Sequence, residues 1–388
     1  MVGAPVSKVR NTMFAAAAFA LNAVLAVPVR AQFEPYSADP PTRSVSKDER
    51  ALVIDAVLAK LRQFYVYEQI AKEMDAAIRG HEAAGGYDRF ADAARFAEVL
   101  TRDLQAVSRD KHLVVSAAAE STDARGTSGS AATMTQQLTS EEPTPCLFVN
   151  VARLAGNVGY LKFDAFGSPN LCADTAAAAM TLLAGCDALI YDLRDNRGGD
   201  PAMVAFLSSY LFAKPTHLGD IYERRTDATY ESWTLPFVPG PRLTEKPVFI
   251  LVSRRTFSAA EEFAYDLQML HRAVVVGEST GGGAHPSESF PINAHFQVTV
   301  PIARYVNPVS RISWEGRGVE PDLRVTELLA VQSAYREALQ RIVRTSTSPI
   351  HRTALQHQID KLTDVIDAVP PSSQPAVSES SAVAKTHR

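Results

Sequence analysis

A serine stands where a buried strand gives way to a helix. The apolar run Val248–Val252 predicts a central strand, and helical spacing of apolar residues begins at Ala259, so Ser258 lies at the junction. A hydroxyl at this point is exposed at the edge of the sheet, and the positive end of the helix faces any oxyanion beside it. The placement predicts a nucleophile for acyl transfer. Ser258 and Glu261 also have the spacing of a capping box, which requires no catalysis, so the local sequence leaves both interpretations open.

Three further segments combine glycines with polar residues. The run at 191–200 is a buried strand that ends in Gly198 and Gly199 before a helix, and such a turn can converge backbone N–H groups on an anion. An ordinary strand-to-helix turn is an equally good interpretation of this pair alone. The run at 276–286 leaves a strand into glycines and reaches His285, and the turn-rich run at 313–322 contains Glu315.

In their order along the chain, these four segments resemble the tail-specific, or C-terminal processing, protease family. The motifs are Asp-Leu-Arg-x-Asn-x-Gly-Gly, Phe-Ser-Ala-Ala-Glu-Glu, Gly-Glu-x-Thr-x-Gly-Gly-Ala-His-Pro and Trp-Glu-Gly-x-Gly-Val-x-Pro-Asp, within residues 191–322. The branch is the one that includes the interphotoreceptor retinoid-binding protein repeats. Residues 48–108, followed by Asp110-Lys-His112, resemble the small N-terminal domain of that branch. The resemblance implies a crotonase-like β-β-α core in the catalytic domain.

The resemblance also implies roles for particular residues. Ser258 matches the family nucleophile, and the amides of Ala259 and of Gly198 or Gly199 match the oxyanion donors. In the best-known branch the base is a lysine 25 residues after the serine, but that position here is Gly283. A serine–lysine pair at the usual place is therefore not available.

Another group must then accept the proton of the serine hydroxyl. His112 matches the histidine of the serine–histidine–glutamate sites of tricorn-like members, and Glu315 matches the carboxylate that would orient it. His285 is the alternative base, because its glycine loop could also approach Ser258. With a histidine base near its ordinary pKa of about 6.5, activity should be lost below about pH 6, whereas a lysine would lose activity below a much higher pH.

The overall organisation predicted is α/β, with a small all-helical subdomain before the catalytic core. The expected parts are a signal peptide at 1–31, a helical subdomain at 45–110, a flexible linker at 117–145, a catalytic domain at 146–326, a C-terminal helix at 327–345 and a disordered tail at 370–388. Removal of the signal peptide would leave an exported protein, periplasmic or secreted, with no stable membrane span.

Composition and motifs bear on which binding partners and cofactors the protein could have. A net charge of −4 without a basic cluster in the mature chain argues against nucleic acid, and the absence of Cys-x-x-Cys or His-Glu-x-x-His motifs gives no support to a metal site or cofactor. The chain has three cysteines, Cys146, Cys172 and Cys186, so at most one disulfide can form within it. Cys172 and Cys186 flank one predicted helix and are the favoured disulfide pair, although buried free thiols are as plausible. Oligomeric state is left open.

The sequence thus predicts a serine-type peptidase that acts on exported peptides or proteins. The alternative is a non-catalytic binding protein for retinoid- or fatty-acid-like ligands on the same fold, suggested by the missing lysine at Gly283. Between His112 and Val158 there are about 45 residues, too few for the PDZ module that processive members insert. This length argues against a strict preference for protein tails.

Overall fold

The computed structural model describes residues 43–117 and 146–369. The predicted signal peptide at 1–31, the tail at 370–388 and all but the first residue of the predicted linker at 117–145 lie outside the described residues. The described residues belong to one compact unit. No helix among them is long and apolar enough to cross a membrane.

Three helices and a short strand form the N-terminal lobe. They are α1 (Lys47–Phe64), α2 (Glu68–Ala83), α3 (Ala93–Ser108) and β1 (Val114–Ala117). Ser46 and Asp92 cap α1 and α3 through side chains that accept the backbone N–H three residues later, as expected for N-terminal caps. The apolar helix faces bury one continuous core, which also takes in strands from the second half of the chain.

The remaining strands, in chain order, are β2 (Phe148–Leu154), β3 (Val158–Phe163), β4 (Ala188–Asp192), β5 (His217–Glu223), β6 (Ala228–Trp233), β7 (Val248–Val252), β8 (Val274–Gly277), β9 (Ser287–Pro291), β10 (Phe296–Pro301), β11 (Ala303–Val306) and β12 (Leu323–Arg324). The main sheet has six strands in the order β12-β8-β7-β4-β3-β2. Its pairs are parallel except β2 with β3, which is antiparallel.

Helices cover both faces of this sheet. On one face lie α4 (Pro169–Leu183), α5 (Pro201–Ser209) and α6 (Ala259–Met269), and on the other lies α7 (Glu327–Thr345), against which α8 (Pro349–Asp367) packs. Alternate residues of β7 serve the two faces: Ile250 contributes to the first core and Leu251 to the second. This double burial explains why β4 and β7 are almost wholly apolar, and it confirms the α/β class predicted from the sequence.

Two three-stranded antiparallel sheets complete the fold, in the orders β1-β10-β9 and β11-β5-β6. The first joins the N-terminal lobe to the second half of the chain, because β1 pairs with β10 through Val115 opposite Val298, and β10 pairs with β9. The segments just before β1 and just before β9 therefore lie at the same end of this sheet.

The cysteine pairing differs from the one favoured on sequence. Cys146 and Cys172 form a disulfide with a Cα–Cα distance of 5.3 Å, and Cys186 is a buried free thiol. The prediction of Cys172 with Cys186 is wrong because helix α4 separates the two by about 17 Å at 1.5 Å per residue. Cys146 lies instead beside the start of α4, where its sulfur contacts the carbonyl of Leu171.

Candidate active site

Three loops converge at the carboxyl ends of neighbouring parallel strands. The Gly198–Gly199 turn follows β4, Ser258 follows β7 after a five-residue turn, and a glycine loop at 278–285 follows β8. Since these three strands are adjacent in the sheet, the loops are neighbours in space. This edge is the usual place for a ligand in an open parallel sheet.

Ser258 begins helix α6 in a strained conformation. Its φ of 55° and ψ of −125° fall outside the regions that residues with a β-carbon ordinarily adopt. Such strain is retained where the surroundings enforce it, often at functional sites. The capping box with Glu261 is present, with the Ser258 N–H donating to the Glu261 carboxylate at 2.9 Å, so the two interpretations of this serine are both consistent with the structure.

Glu261 also ties the glycine loop to the start of α6. Its fully buried carboxylate accepts the N–H groups of Gly282 at 2.7 Å and Gly283 at 2.9 Å, and the hydroxyl of Thr280. Burial raises the pKa of Glu261, and these hydrogen bonds together with that from Ser258 oppose the shift. Only a capping role was predicted for Glu261, and the four hydrogen-bond donors that it collects from two loops were missed.

The backbone of Gly198 lies directly against Ser258. A β-carbon at Gly198 would stand 2.7 Å from Cβ of Ser258, so only glycine fits at this point. The Gly198 N–H donates to Oδ1 of Asn196 at 2.9 Å. Within the described residues, the N–H groups of Gly199 and Ala259 have no acceptor, so of the two glycines only Gly199 keeps a free donor.

His112 reaches the site from the N-terminal lobe, two residues before β1. Its ring packs against Phe257, with centroids 4.6 Å apart, and beside Gly283. Neither ring nitrogen has a hydrogen-bond partner within the described chain, so the expected hydrogen bond to Ser258 is not formed. Burial lowers the pKa of His112 to about 4, with nearby His285 lowering it further and Asp110 opposing the shift.

His285 is paired with Asp110 instead of facing the serine. Its Nδ1 lies 2.6 Å from Oδ2 of Asp110, and its Nε2 lies 3.3 Å from the hydroxyl of Tyr67. Burial alone would lower the pKa of His285, but the hydrogen bond and charge of Asp110, together with Glu315, raise it.

Glu315 lies on the His285 side of the site and does not contact the ring of His112. Its Oε2 accepts the N–H of Ala284 at 2.5 Å and lies 3.6 Å from Nδ1 of His285, whereas Oε1 is buried and has no partner in the part of the chain that the structure describes. Burial raises the pKa of Glu315 to about 7, and the charge of Asp110 adds to the shift. The predicted contact of Glu315 with His112 is not formed here, and the carboxylate beside His112 is that of Asp110, with Oδ1 4.0 Å from Nδ1.

A cavity of about 570 Å³ opens on this side, lined by residues that include Tyr65, Tyr67, Lys111, His285, Glu315 and Arg317. Donor atoms of Asp110, His285 and Glu315 lie within 4.8 Å of one another, the spacing of a possible metal site. Two donors around one zinc ion stand about 3.3 Å apart in tetrahedral geometry. The direct contact of 2.6 Å between His285 and Asp110 is a hydrogen bond and leaves no space for an ion between them.

The sequence named the residues that this edge brings together, but not all of their partners. Phe257, Tyr67 and Asp110 were missed as parts of the site. The Asp-Lys-His motif was the available signal for Asp110, since its carboxylate accepts the N–H of His112 two residues later.

Two family models match the chain. One, described as Peptidase family S41, matches residues 157–325, and the other, described as the N-terminal domain of that peptidase family in eukaryotic IRBP, the interphotoreceptor retinoid-binding protein, matches residues 47–149.

A Synechocystis carboxyl-terminal-processing protease is 31% identical over 177 residues, which are 45% of this chain and 40% of that protein. A chloroplastic carboxyl-terminal-processing peptidase of Arabidopsis thaliana is 30% identical over 193 residues, 49% of this chain and 38% of that protein. The chain thus spans less than half the length of either relative. A crystal structure of a suggested peptidase from Parabacteroides merdae shares the fold, with a TM-score of 0.50 and 16% identity over 71% of this chain and 90% of that one.

Proposed function

We propose that this chain, which belongs to peptidase family S41, is a serine-type peptidase that hydrolyses peptide bonds through an acyl-enzyme on Ser258. The observation that carries the proposal is the strained serine at the start of α6, closely approached by Gly198, with the N–H groups of the neighbouring Ala259 and of Gly199 lacking acceptors among the described residues. A serine of purely structural use has no need of positive φ at a helix start.

In the proposed mechanism, His112 removes the proton from the Ser258 hydroxyl as its oxygen attacks the substrate carbonyl. With its pKa lowered to about 4, His112 is neutral at pH 7, and its unprotonated ring nitrogen, without a partner among the described residues, can accept a proton. Catalytic hydrogen bonds often form only when substrate is bound, so the lack of a bond between His112 and Ser258 in the free protein is compatible with this role. His112 then donates the proton to the leaving amine, and water completes hydrolysis by the same route.

The negative charge on the tetrahedral intermediate requires fixed donors. The free amides of Ala259 and Gly199 suit this purpose, and the first is reinforced by the positive end of α6. Gly198 is assigned a different role: its missing side chain lets the turn approach the serine, while its N–H holds Asn196.

The proposed substrates are peptides or unfolded proteins outside the cytoplasm. The signal-like segment at 1–31 supports export to the periplasm or beyond, and the short connection between the N-terminal lobe and the catalytic domain of 146–326 argues against a PDZ module. The sheet with helices on both faces accords with the crotonase-like core that the family resemblance implies. Carriage of a retinoid- or fatty-acid-like ligand is not favoured, because the relatives matched are processing peptidases.

The test is hydrolysis of a fluorogenic peptide mixture by the purified mature protein and by Ser258→Ala. Loss of the nucleophile should reduce kcat by at least about 10³-fold. Ser232→Ala, on the half-exposed strand β6, is the matched control and should retain full activity. Equal turnover by Ser258→Ala and the unmodified protein would exclude this nucleophile. Stoichiometric retinol binding without labelling of Ser258 by a fluorophosphonate would favour the carrier function instead.

A further inference from the structure

Asp110 joins the segment that carries His112 to the glycine loop. Its side chain is 1% exposed. Oδ1 accepts the backbone N–H of His112 at 3.0 Å, while Oδ2 lies 2.6 Å from Nδ1 of His285 and 3.4 Å from the hydroxyl of Tyr65. One carboxylate therefore fixes both the backbone of His112 and the ring of His285.

The two histidines differ in what their ring nitrogens can do. Both nitrogens of His285 have partners, Asp110 on one side and Tyr67 on the other, and the ring is 5% exposed. Both nitrogens of His112 lack partners within the described residues. A proton acceptor needs a free nitrogen, so the geometry gives His112 the role of base and His285 a role in holding it.

Two more contacts join the same segments. Nζ of Lys111 donates to the carbonyl of Gly281, in the middle of the glycine loop at 278–285. The sheet β1-β10-β9 begins its paired strands two residues after each histidine, at residues 114 and 287. The segment that carries His112 thus contacts the glycine loop at two points, its middle and its His285 end.

We propose that the Asp110–His285 pair is a positioning device that holds His112 against the glycine loop, so that His112 meets the Ser258 hydroxyl when substrate binds. The inference rests on the proposed peptidase function. A buried charged hydrogen bond is directional and has no competing water, so it can fix the loop spacing closely. Displacement of a catalytic group by about 1 Å can lower a rate by about 100-fold.

Steady-state kinetics of His285→Ala, His285→Asn and Asp110→Asn test this role. The alanine variant should lose about 10- to 100-fold in kcat with little change in KM, since substrate contacts are not removed. The asparagine variant can donate from its side-chain amide in place of Nδ1 and should recover most of that loss. Asp110→Asn, which keeps the acceptor of the His112 N–H but loses the charge, should fall between the two.

The matched control is His81→Asn. His81 forms a comparable contact of 2.7 Å with Asp103 in the N-terminal lobe, away from the loops, and its replacement should leave kcat unchanged. Unfolding midpoints of all variants separate loss of positioning from loss of folding. Full kcat in folded His285→Ala would overturn the proposal, and so would His285→Asn that is as inactive as Ser258→Ala, because His285 would then be the base.

Hydrogen exchange supplies a readout that does not depend on activity. The amides of Gly282 and Gly283, bonded to Glu261, should exchange faster in His285→Ala than in the unmodified protein. Faster exchange in a protein that hydrolyses no peptide would support the structural role of the pair and reject the peptidase function. Unchanged exchange in a protein that is active would reject the positioning role alone.

Discussion

Cε1 of His112 lies 2.6 Å from the point where a β-carbon on Gly283 would stand. Cζ of Phe257 is closer still, at 2.3 Å. Gly283 occupies the position of the lysine base in the best-known branch of the family, 25 residues after Ser258. A side chain at 283 and the ring of His112 therefore exclude each other, which gives a physical reason for finding a histidine in the site and a glycine at 283.

Gly283→Ala should displace His112 or Phe257 and reduce kcat by about 100-fold, because a buried ring has little space into which it can move. Gly283→Lys should not restore activity, since its stem enters the same space. The measurement is kcat alongside the unfolding midpoint. Gly80→Ala is the control: no atom of the described residues lies within 4 Å of the added β-carbon, and in helix α2 the change should stabilise the protein by about 0.5–1 kcal/mol. Full activity of Gly283→Ala would show that a side chain at 283 and the ring of His112 can be accommodated together.

The pH dependence of activity should reflect the burial of His112. The expected loss of activity below about pH 6 rests on an imidazole with an ordinary pKa. Burial instead lowers the pKa of His112 to about 4, and Asp110 and His285 are the titratable groups that face its ring. kcat/KM should therefore stay level as pH falls through 6 and decline only near pH 4, where the base becomes protonated.

The same shift predicts loss of stability in acid. Between about pH 6.5 and 4 the unfolded chain binds a proton on this histidine that the folded chain does not, so the free energy of unfolding contributed by His112 falls as pH decreases. Rates should be taken from brief exposure to low pH, with recovery after return to pH 7 as the control for unfolding. A decline centred near pH 6.5 would show that His112 is solvated or is not the base.

The sequence predicted the elements that carry the chemistry better than it predicted contacts between them. The strand at 248–252 and the start of the helix at Ala259 are confirmed to the residue because apolar runs and helical spacing are local properties. Helix α8 was not predicted: it is polar on most of its surface and buries only Leu355 and Ile359.

The contacts of the site were harder to predict because they join distant segments. The Asp110–His285 pair spans 175 residues, and no local pattern indicates which histidine a buried carboxylate will bind. Family resemblance brought Ser258, His112 and Glu315 together as candidates. It did not indicate that Glu315 would lie beside His285 and Ala284, which depends on the path of the glycine loop.

Glu315→Gln should stabilise the protein increasingly as pH rises. Burial raises the pKa of Glu315 to about 7 in the folded state, from 4.5, so ionisation between those values favours the unfolded chain. Glutamine cannot ionise and can still accept the N–H of Ala284. Relative to the unmodified protein, its free energy of unfolding should rise by on the order of 2 kcal/mol between pH 5 and pH 8.

Urea unfolding at the two pH values measures this difference. Glu98→Gln, on the exposed face of α3, controls for the loss of one surface charge. A difference between Glu315→Gln and the unmodified protein that is the same at pH 5 and pH 8 would show that Glu315 is not held in an environment that disfavours its charge.

Replacement of the proposed nucleophile by glycine should separate stability from activity. Ser258 has φ of 55° and ψ of −125°, a conformation that costs residues with a β-carbon about 1–3 kcal/mol and that glycine adopts freely. Ser258→Gly and Ser258→Ala should both be inactive, but only the glycine variant releases the strain. The greater chain entropy of unfolded glycine offsets part of the gain, so Ser258→Gly should be more stable than Ser258→Ala by about 1 kcal/mol in urea unfolding. An alanine variant at least as stable as the glycine variant would mean that the backbone at Ser258 stores no strain, and the conformation that marks this serine as functional would need another cause.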